Sequence, residues 1–282
     1  MKSGVEVQKY SAGFEAEIAK YCTGDPNDRG AATEMELYTK IKYSKMFFDF
    51  SRRYFDLRGM KFIEIGCGTA TVSAAASLMG ADVAATDFVE KSVELSASRW
   101  REHGIEGDIF RSDLRDNIAQ HRIAAFDFVY CYQVLEHIPR EGQFKALANL
   151  FSMVAPNGYL FIDTENSLCP YDRHDTRTWL LRYLNKPAHV AMIEKLGKGL
   201  NYWEPNISAN VQVHDYLSYD ELIGAAAVSG FEVVSPFMPH GDKKQMLKVL
   251  TGSDWLHDAV LEHIDIERFA PISLLLKKTG LA

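Results

Sequence analysis

From Met60 onward, short apolar runs alternate with longer stretches whose apolar residues recur at helical spacing. MKFIEI, ADVAATD, GDIFRSD, FDFVYCY and YLFIDT read as short apolar strands. Between them, the stretches 69–79, about Glu90 to His103 and about Glu141 to Met153 carry the helical pattern. This alternation predicts a doubly wound, mostly parallel α/β sheet. Asn157-Gly158 predicts a turn before the fifth strand.

The rhythm stops at Ser167. It returns with LSYDELIGAAAVSG, where Ser218 and Glu221 have the spacing of a capping box and Gly230 that of a helix stop. FEVVSPF and PISLLLKK read as two further strands. Ahead of the alternation, ELYTKIKYSKMFFDFSRRYF predicts one or two amphipathic helices. These either cap the core or form a lid, since Tyr38, Tyr43, Phe47 and Phe48 offer stacking surface. The expected organisation is an N-terminal helical lid over 1–57, a core over 58–166, an insertion over 167–213 and a completion of the core over 214–282.

Composition narrows the class. With 282 residues, 47% hydrophobic and 24% charged, the chain can bury a sizeable core and work alone. A formal charge of -7 argues against a general nucleic-acid partner, because phosphate binding needs a positive field. No apolar run approaches the roughly 20 residues that cross a bilayer. The opening MKSGVEVQKYS has no hydrophobic signal core, so the expected location is the cytoplasm with no membrane partner. Cys22, Cys67, Cys131 and Cys169 are scattered without metal or redox spacing and are expected as reduced thiols.

In doubly wound sheets ligands sit outside the carboxyl ends of the strands, so the residues just after each strand carry the chemistry. After the first strand, Gly66 and Gly68 let the chain turn sharply and pass close beneath a ligand. Amides near Thr69 to Thr71, at the start of the following helix, are expected to meet a carboxylate or hydroxyl oxygen. Asp87 ends the second strand and is positioned to accept from two adjacent ribose hydroxyls, as an acid roughly 20 residues beyond the glycines does. Asp113 ends the third, where a carboxylate can accept from the exocyclic amine of adenine. Together these acids describe an adenosine pocket. A dinucleotide fingerprint needs a third glycine where this chain has Thr71, and the charge of Glu64 would repel a pyrophosphate. A ligand with a cationic end and no phosphate, such as S-adenosylmethionine, suits Glu64.

EIGCGT at 64–69, the acid after the second strand, SDL at 112–114, FDFVYCYQVLEHIP at 126–139 and LFSMVAPNGYLFI at 150–162 resemble the successive motifs of class I S-adenosylmethionine-dependent methyltransferases. Within that class the chain is most similar to the ubiquinone-biosynthesis-type small-molecule O-methyltransferases. The resemblance covers 60–165 well and the tail from about Val211 moderately. It implies a Rossmann-like methyltransferase sheet of seven strands, the last of them, PISLLLKK, antiparallel to the others. S-adenosylmethionine is the implied cofactor and S-adenosylhomocysteine the product. By the same resemblance Glu64, Gly66 and Gly68 border the methionine end with Cys67 between them, and Asp87 meets the ribose with Phe88 beside adenine. Asp113 and Leu114 then line the adenine edge, and Tyr132 or Gln133 forms the rim nearest the sulfonium.

Methyl transfer to a hydroxyl requires removal of its proton, and His137 in QVLEHIP lies where the acceptor should enter, making it the candidate general base. His214 in VQVHDYLSYDEL is a second candidate polar group of the site. Some relatives of this branch hold a divalent metal through an E-x-x-E-H pattern and a later histidine. Here Glu136, His137 and His214 are present but Gln133 replaces the first carboxylate, which removes charge that a hard cation needs and argues against a bound metal. The insertion, where Arg173, Arg177, Arg182, Lys186, Lys195 and Lys198 are interspersed with Tyr171, Trp179, Tyr183, Tyr202 and Trp203, is expected to select the small-molecule acceptor: either these residues form a wall for an anionic sugar or ring compound, or TWLLRYLNKP is an amphipathic helix whose basic side faces water. An N-methyltransferase of the same fold, an NAD-dependent oxidoreductase and a non-catalytic cofactor-binding module are the alternatives.

Overall fold

The computed structural model describes residues 47–49, 52–116, 122–172, 178–179, 183, 188, 191, 216–236 and 268–280. Its sheet strands are β1 (Lys61–Ile65), β2 (Asp82–Asp87), β3 (Gly107–Arg111), β4 (Phe126–Tyr132), β5 (Val154–Thr164), β8 (Phe231–Ser235) and β9 (Ile272–Lys278). A two-residue ribbon, β6 (Tyr171–Asp172) with β7 (Thr178–Trp179), stands apart from the sheet. The helices are α1 (Thr71–Leu78), α2 (Glu90–Glu102), α3 (Arg140–Met153) and α4 (Tyr219–Val228). The seven strands run in the order β3-β2-β1-β4-β5-β9-β8, with β9 antiparallel to both its neighbours and the other pairings parallel. This is the expected doubly wound arrangement, including the reversed strand PISLLLKK. No helix among the described residues is long and apolar enough to cross a membrane.

The alternation within each strand sorts two kinds of side chain onto opposite faces. Phe62, Phe128, Tyr130, Phe161 and Leu275 point to one side, where the alanines of α1 and Trp100 of α2 cover them. Ile63, Ile65, Val129, Cys131, Leu160 and Ile162 point to the other, against Leu147 and Leu150 of α3 and Leu222 of α4. Parallel register brings the aromatic positions side by side: Phe62 pairs with Phe128, and Tyr130 with Phe161. The Phe62 and Phe128 rings stack at 5.4 Å and those of Tyr130 and Phe161 at 5.0 Å. Such pairs contribute about 0.5–1.5 kcal/mol each beyond their area. Ala74, Ala75 and Ala76 are buried against this bulky layer, where larger side chains would hold α1 away.

Phe47 and Phe48 belong to the same layer. Both are buried, and Phe47 meets Phe128, Tyr130 and Phe161 edge-on or tilted at 4.9–5.5 Å. For these two residues the structure supports core capping, not a lid: rings in the sheet's hydrophobic layer are unavailable to stack on a ligand. Tyr38 and Tyr43 lie outside the described residues.

The fifth strand also starts earlier than the Asn157-Gly158 turn predicts. The chain passes from Met153 of α3 into extended Val154 without a loop, and Val154 pairs with Phe126. The predicted turn is instead a bulge within β5: the next registered pair is Phe128 with Tyr159, and Asn157 has φ 64°. Lys278 donates from its Nζ to the carbonyls of Phe151 and Val154 at 3.2 and 2.9 Å. It thereby satisfies acceptors that an abrupt helix end leaves open. At α4 the capping box forms as predicted, Ser218 and Glu221 each serving the other's backbone N–H.

Two glycines predict opposite stability changes. A Cβ on Gly107 would collide with the Val83 carbonyl oxygen and the Trp100 ring, so Gly107→Ala should lower unfolding free energy by about 1–3 kcal/mol or more in urea titrations. Gly224 lies within α4 facing open space, and Gly224→Ala should raise it by ~0.5–1 kcal/mol.

Candidate active site

From β1 the chain winds outward through β2 to β3 and then crosses back to place β4 on β1's other flank. The reversal makes the carboxyl ends of β1 and β4 a topological switch point, where two loops must leave in opposite directions and open a crevice. Gly66 and Val134 meet there. Gly66 has φ 65°, and a Cβ on it would overlap Val134 Cγ2. The left-handed conformation recurs at Gly68 (54°) and Ala70 (50°), so the turn into α1 is a run of alternating left-handed positions. The Ala70 N–H bonds the Cys67 carbonyl at 2.8 Å, closing the turn. That amide is therefore not presented to a ligand in the manner expected of the helix start.

Ala70 has no side chain with which to cap α1. Glu64, reaching from the strand before, does so instead: its Oε2 accepts from the Ser73 N–H at 2.8 Å and the Ser73 hydroxyl at 2.6 Å. A buried carboxylate thus occupies the positive end of the helix, the position at which a dinucleotide site holds its pyrophosphate. Asp87 ties the glycine turn to the next element. Oδ2 accepts from the Gly68 N–H and Oδ1 from the Val89 N–H, both at 2.8 Å. A carboxylate offers about four lone-pair sites, so acceptor capacity remains for hydroxyl donors. Beside it Phe88 is 55% exposed, its backbone carbonyl accepting from Arg111 Nε at 3.0 Å and its ring 5.7 Å from the Arg111 guanidinium.

Asp113 is differently engaged. Its carboxylate takes the Arg115 N–H at 2.8 Å and the guanidinium at 2.6–3.0 Å through both oxygens. The Arg115 hydrogen bonds hold it below the usual carboxylate range against the opposing effect of burial. The expected bond to the adenine amine would compete with this ion pair. Leu114, next in the chain, is buried at the same turn.

At the end of β4, Tyr132 is half-buried and stacks on Tyr130 at 6.2 Å. Gln133 has φ 54°, uncommon for a residue with a side chain. Asp163 holds it there twice: the Gln133 N–H donates to the Asp163 carbonyl at 2.8 Å and Gln133 Nε2 to Oδ1 at 2.6 Å. Sequence reasoning missed Asp163, whose signal was the polar run DTEN directly after the apolar part of β5. Leu135–His137 forms one turn of 3₁₀ helix in which Glu136 is buried, accepting from the Thr164 hydroxyl at 2.8 Å, while His137 is exposed. Adjacent Glu136 and His137 therefore face different environments. Among the described residues no three His, Cys, Asp or Glu side chains form a metal-binding group. Cys67, Cys131 and Cys169 are buried thiols outside any disulfide; burial, with Glu136 and Asp163 nearby, pushes the Cys131 thiol well up. His214, Cys22 and the basic residues Arg173, Arg177, Arg182 and Lys186 lie outside the described residues.

The sequence profile described as "Methyltransferase domain" matches residues 41–235. The chain is 32% identical over 119 residues to the ubiquinone biosynthesis O-methyltransferase of Chromobacterium violaceum, an overlap of 42% of this chain and 50% of that protein. It thus spans about half the length of that curated relative. Among solved structures, magnesium protoporphyrin IX methyltransferase from Synechocystis with bound SAH superposes with TM-score 0.52 at 15% identity over 96% of each chain. An S-adenosylmethionine dependent methyltransferase from Mesorhizobium loti gives 0.50 at 15% identity over 79% of this chain and 93% of that one. At such identities these two share the fold.

Gly66→Ala should destabilise the protein by ~2–4 kcal/mol, combining left-handed strain with the Val134 overlap. Adding Val134→Ala should recover the steric part, seen as a non-additive double-mutant cycle in denaturant melts. Because Arg115 lowers the Asp113 pKa, the pair's stabilisation is fully present above the unfolded carboxylate value near ~3.9 and disappears as pH falls through the lower folded value. The stability gap between wild type and Arg115→Ala, followed by thermal melts across pH, should accordingly narrow toward acid.

Proposed function

The chain belongs to the methyltransferase domain family as a class I S-adenosylmethionine-dependent methyltransferase, and on that premise we propose that it methylates a hydroxyl oxygen of a small molecule, with His137 as the general base. The observation that carries the cofactor's side of this reading is the Glu64 carboxylate at the start of α1. Negative charge already stands where a diphosphate would need the helix terminus, so a phosphate-bridged cofactor meets repulsion and a cationic one meets attraction. The residues present fit an adenosyl sulfonium compound. Asp87 keeps acceptor sites for ribose hydroxyls, and Phe88 presents an exposed ring to a base. When bound, S-adenosylmethionine supplies a methyl carbon made electrophilic by a positively charged sulfur.

The chain's own contribution is alignment and proton handling. Gln133, fixed by Asp163, sets the backbone at the end of β4, and Tyr132 forms its half-buried wall. Holding an acceptor in line with the methyl group in a water-poor site can account for much of the acceleration. His137 is exposed at the same edge, where an imidazole can take the hydroxyl proton as the new C–O bond forms. Support for oxygen as the acceptor atom comes from the curated relative, named as an O-methyltransferase and 32% identical over 119 residues. The basic and aromatic residues of the 167–213 stretch support an anionic sugar or ring compound as acceptor.

S-adenosylhomocysteine should raise the melting midpoint, contributing about 2.7 kcal/mol at a concentration one hundred times its Kd, while NAD leaves it unchanged. A response to NAD alone would overturn the cofactor assignment. His137→Ala should lower kcat by about 10²–10⁴-fold while calorimetric affinity for S-adenosylhomocysteine is retained; undiminished turnover would remove His137 as base.

A further inference from the structure

Helix α3 carries two buried carboxamides, each bonded to two backbone carbonyls of a loop at the sheet's carboxyl edge. Asn149 Nδ2 donates to the carbonyls of Leu114 and Asp116 at 2.7 and 2.6 Å. Gln143 Nε2 donates to those of Leu135 and Ile138 at 3.3 and 3.0 Å. A primary amide has two N–H donors, so each clamp uses both. Six residues separate the two along α3, a rise of about 9 Å and a rotation of about 120°, which lets one helix address two different loops. The post-β3 loop closes through the Asp116 N–H on the Asp113 carbonyl at 2.9 Å, so the Asn149 clamp holds a turn that presents Asp113 and Leu114. The approach is tight nearby, since a Cβ on Gly142 would lie 2.9 Å from Arg115 Cδ.

We propose that Asn149 is a positioning residue for the cofactor: acting through Leu114 and Asp116, it fixes the loop that borders the adenine. The inference rests on the adenosyl reading given above. Asn149 touches no ligand in this scheme. Its contribution is to hold the post-β3 turn in its binding geometry before the nucleoside arrives, which spares the cost of ordering that loop on binding. Losing both donors would leave two carbonyls in a largely buried setting without partners and release the turn. Gln143 makes the same kind of clamp on the loop carrying His137. It provides the internal comparison, because a role confined to holding the core together makes no distinction between the two positions.

The test is calorimetric titration of S-adenosylhomocysteine into the full chain. Asn149→Leu should weaken Kd by about tenfold or more, and Asn149→Asp, which keeps the shape but has no N–H donors, should do likewise. Gln143→Met should change Kd by less than about threefold. Hydrogen exchange should show faster exchange over 113–116 in the Asn149 variants and over 135–138 in Gln143→Met. If wild type fails to bind S-adenosylhomocysteine, the cofactor reading itself has failed. If wild type binds and the Asn149 and Gln143 variants shift Kd equally or not at all, the positioning role is overturned. Asn149→Ser retains one donor and should give an intermediate Kd; should every Asn149 variant lose cooperative unfolding, Asn149 is a residue of the fold and the proposal is overturned as well.

Discussion

No carbon atom fits between the α-carbon of Gly66 and the side chain of Val134. This contact is where the reversal of winding direction between β1 and β4 becomes a constraint on atoms. The β1 turn must be left-handed and lack a side chain for the β4 loop to pass beside it. Once the two loops are in that relation, Glu64 reaches Ser73 and Asp87 reaches Gly68. The crevice and its charge are thus consequences of one close approach at the sheet's centre.

A second regularity follows from burial. Each acid at a strand end is first a structural tie: Glu64 to α1, Asp87 to the glycine turn and α2, Asp113 to Arg115, and Asp163 to the left-handed Gln133. Buried or half-buried carboxylates are costly unless hydrogen-bonded, and backbone N–H groups left open by turns and helix starts are the nearest donors. The carboxyl edge of the sheet is consequently organised by its own acidic side chains. Glu64 illustrates the economy of this arrangement, since the carboxylate that caps α1 also places negative charge at the start of that helix.

Much of the fold was legible along the chain. Five apolar runs, their helical spacers and the capping box at Ser218 appear as expected, because side-chain period and cap chemistry are local properties, and the reversed last strand appears as the family resemblance implied. The departures are equally specific. Asn157-Gly158 has the composition of a turn but lies in a strand bulge, since the early residues of β5 find a partner in β4 that no local pattern could announce. Phe47 and Phe48 carry surface suited to stacking on a ligand, yet the sheet's aromatic layer takes them first. Asp113 was legible as an acid in the right place, but not that Arg115, two residues away, would engage it.

What the sequence determined by itself is the order of elements, the glycine turn after β1 and the acids that follow successive strands, because these depend on residue type and spacing within a few positions. Only the tertiary structure decided which face became aromatic, that Asp163 would hold Gln133, and that Asn149 would clamp a loop some 35 residues earlier. Those outcomes require segments distant in sequence to share one buried layer. There a polar group must find a partner in whatever packing brings near, and no local pattern encodes which one that is.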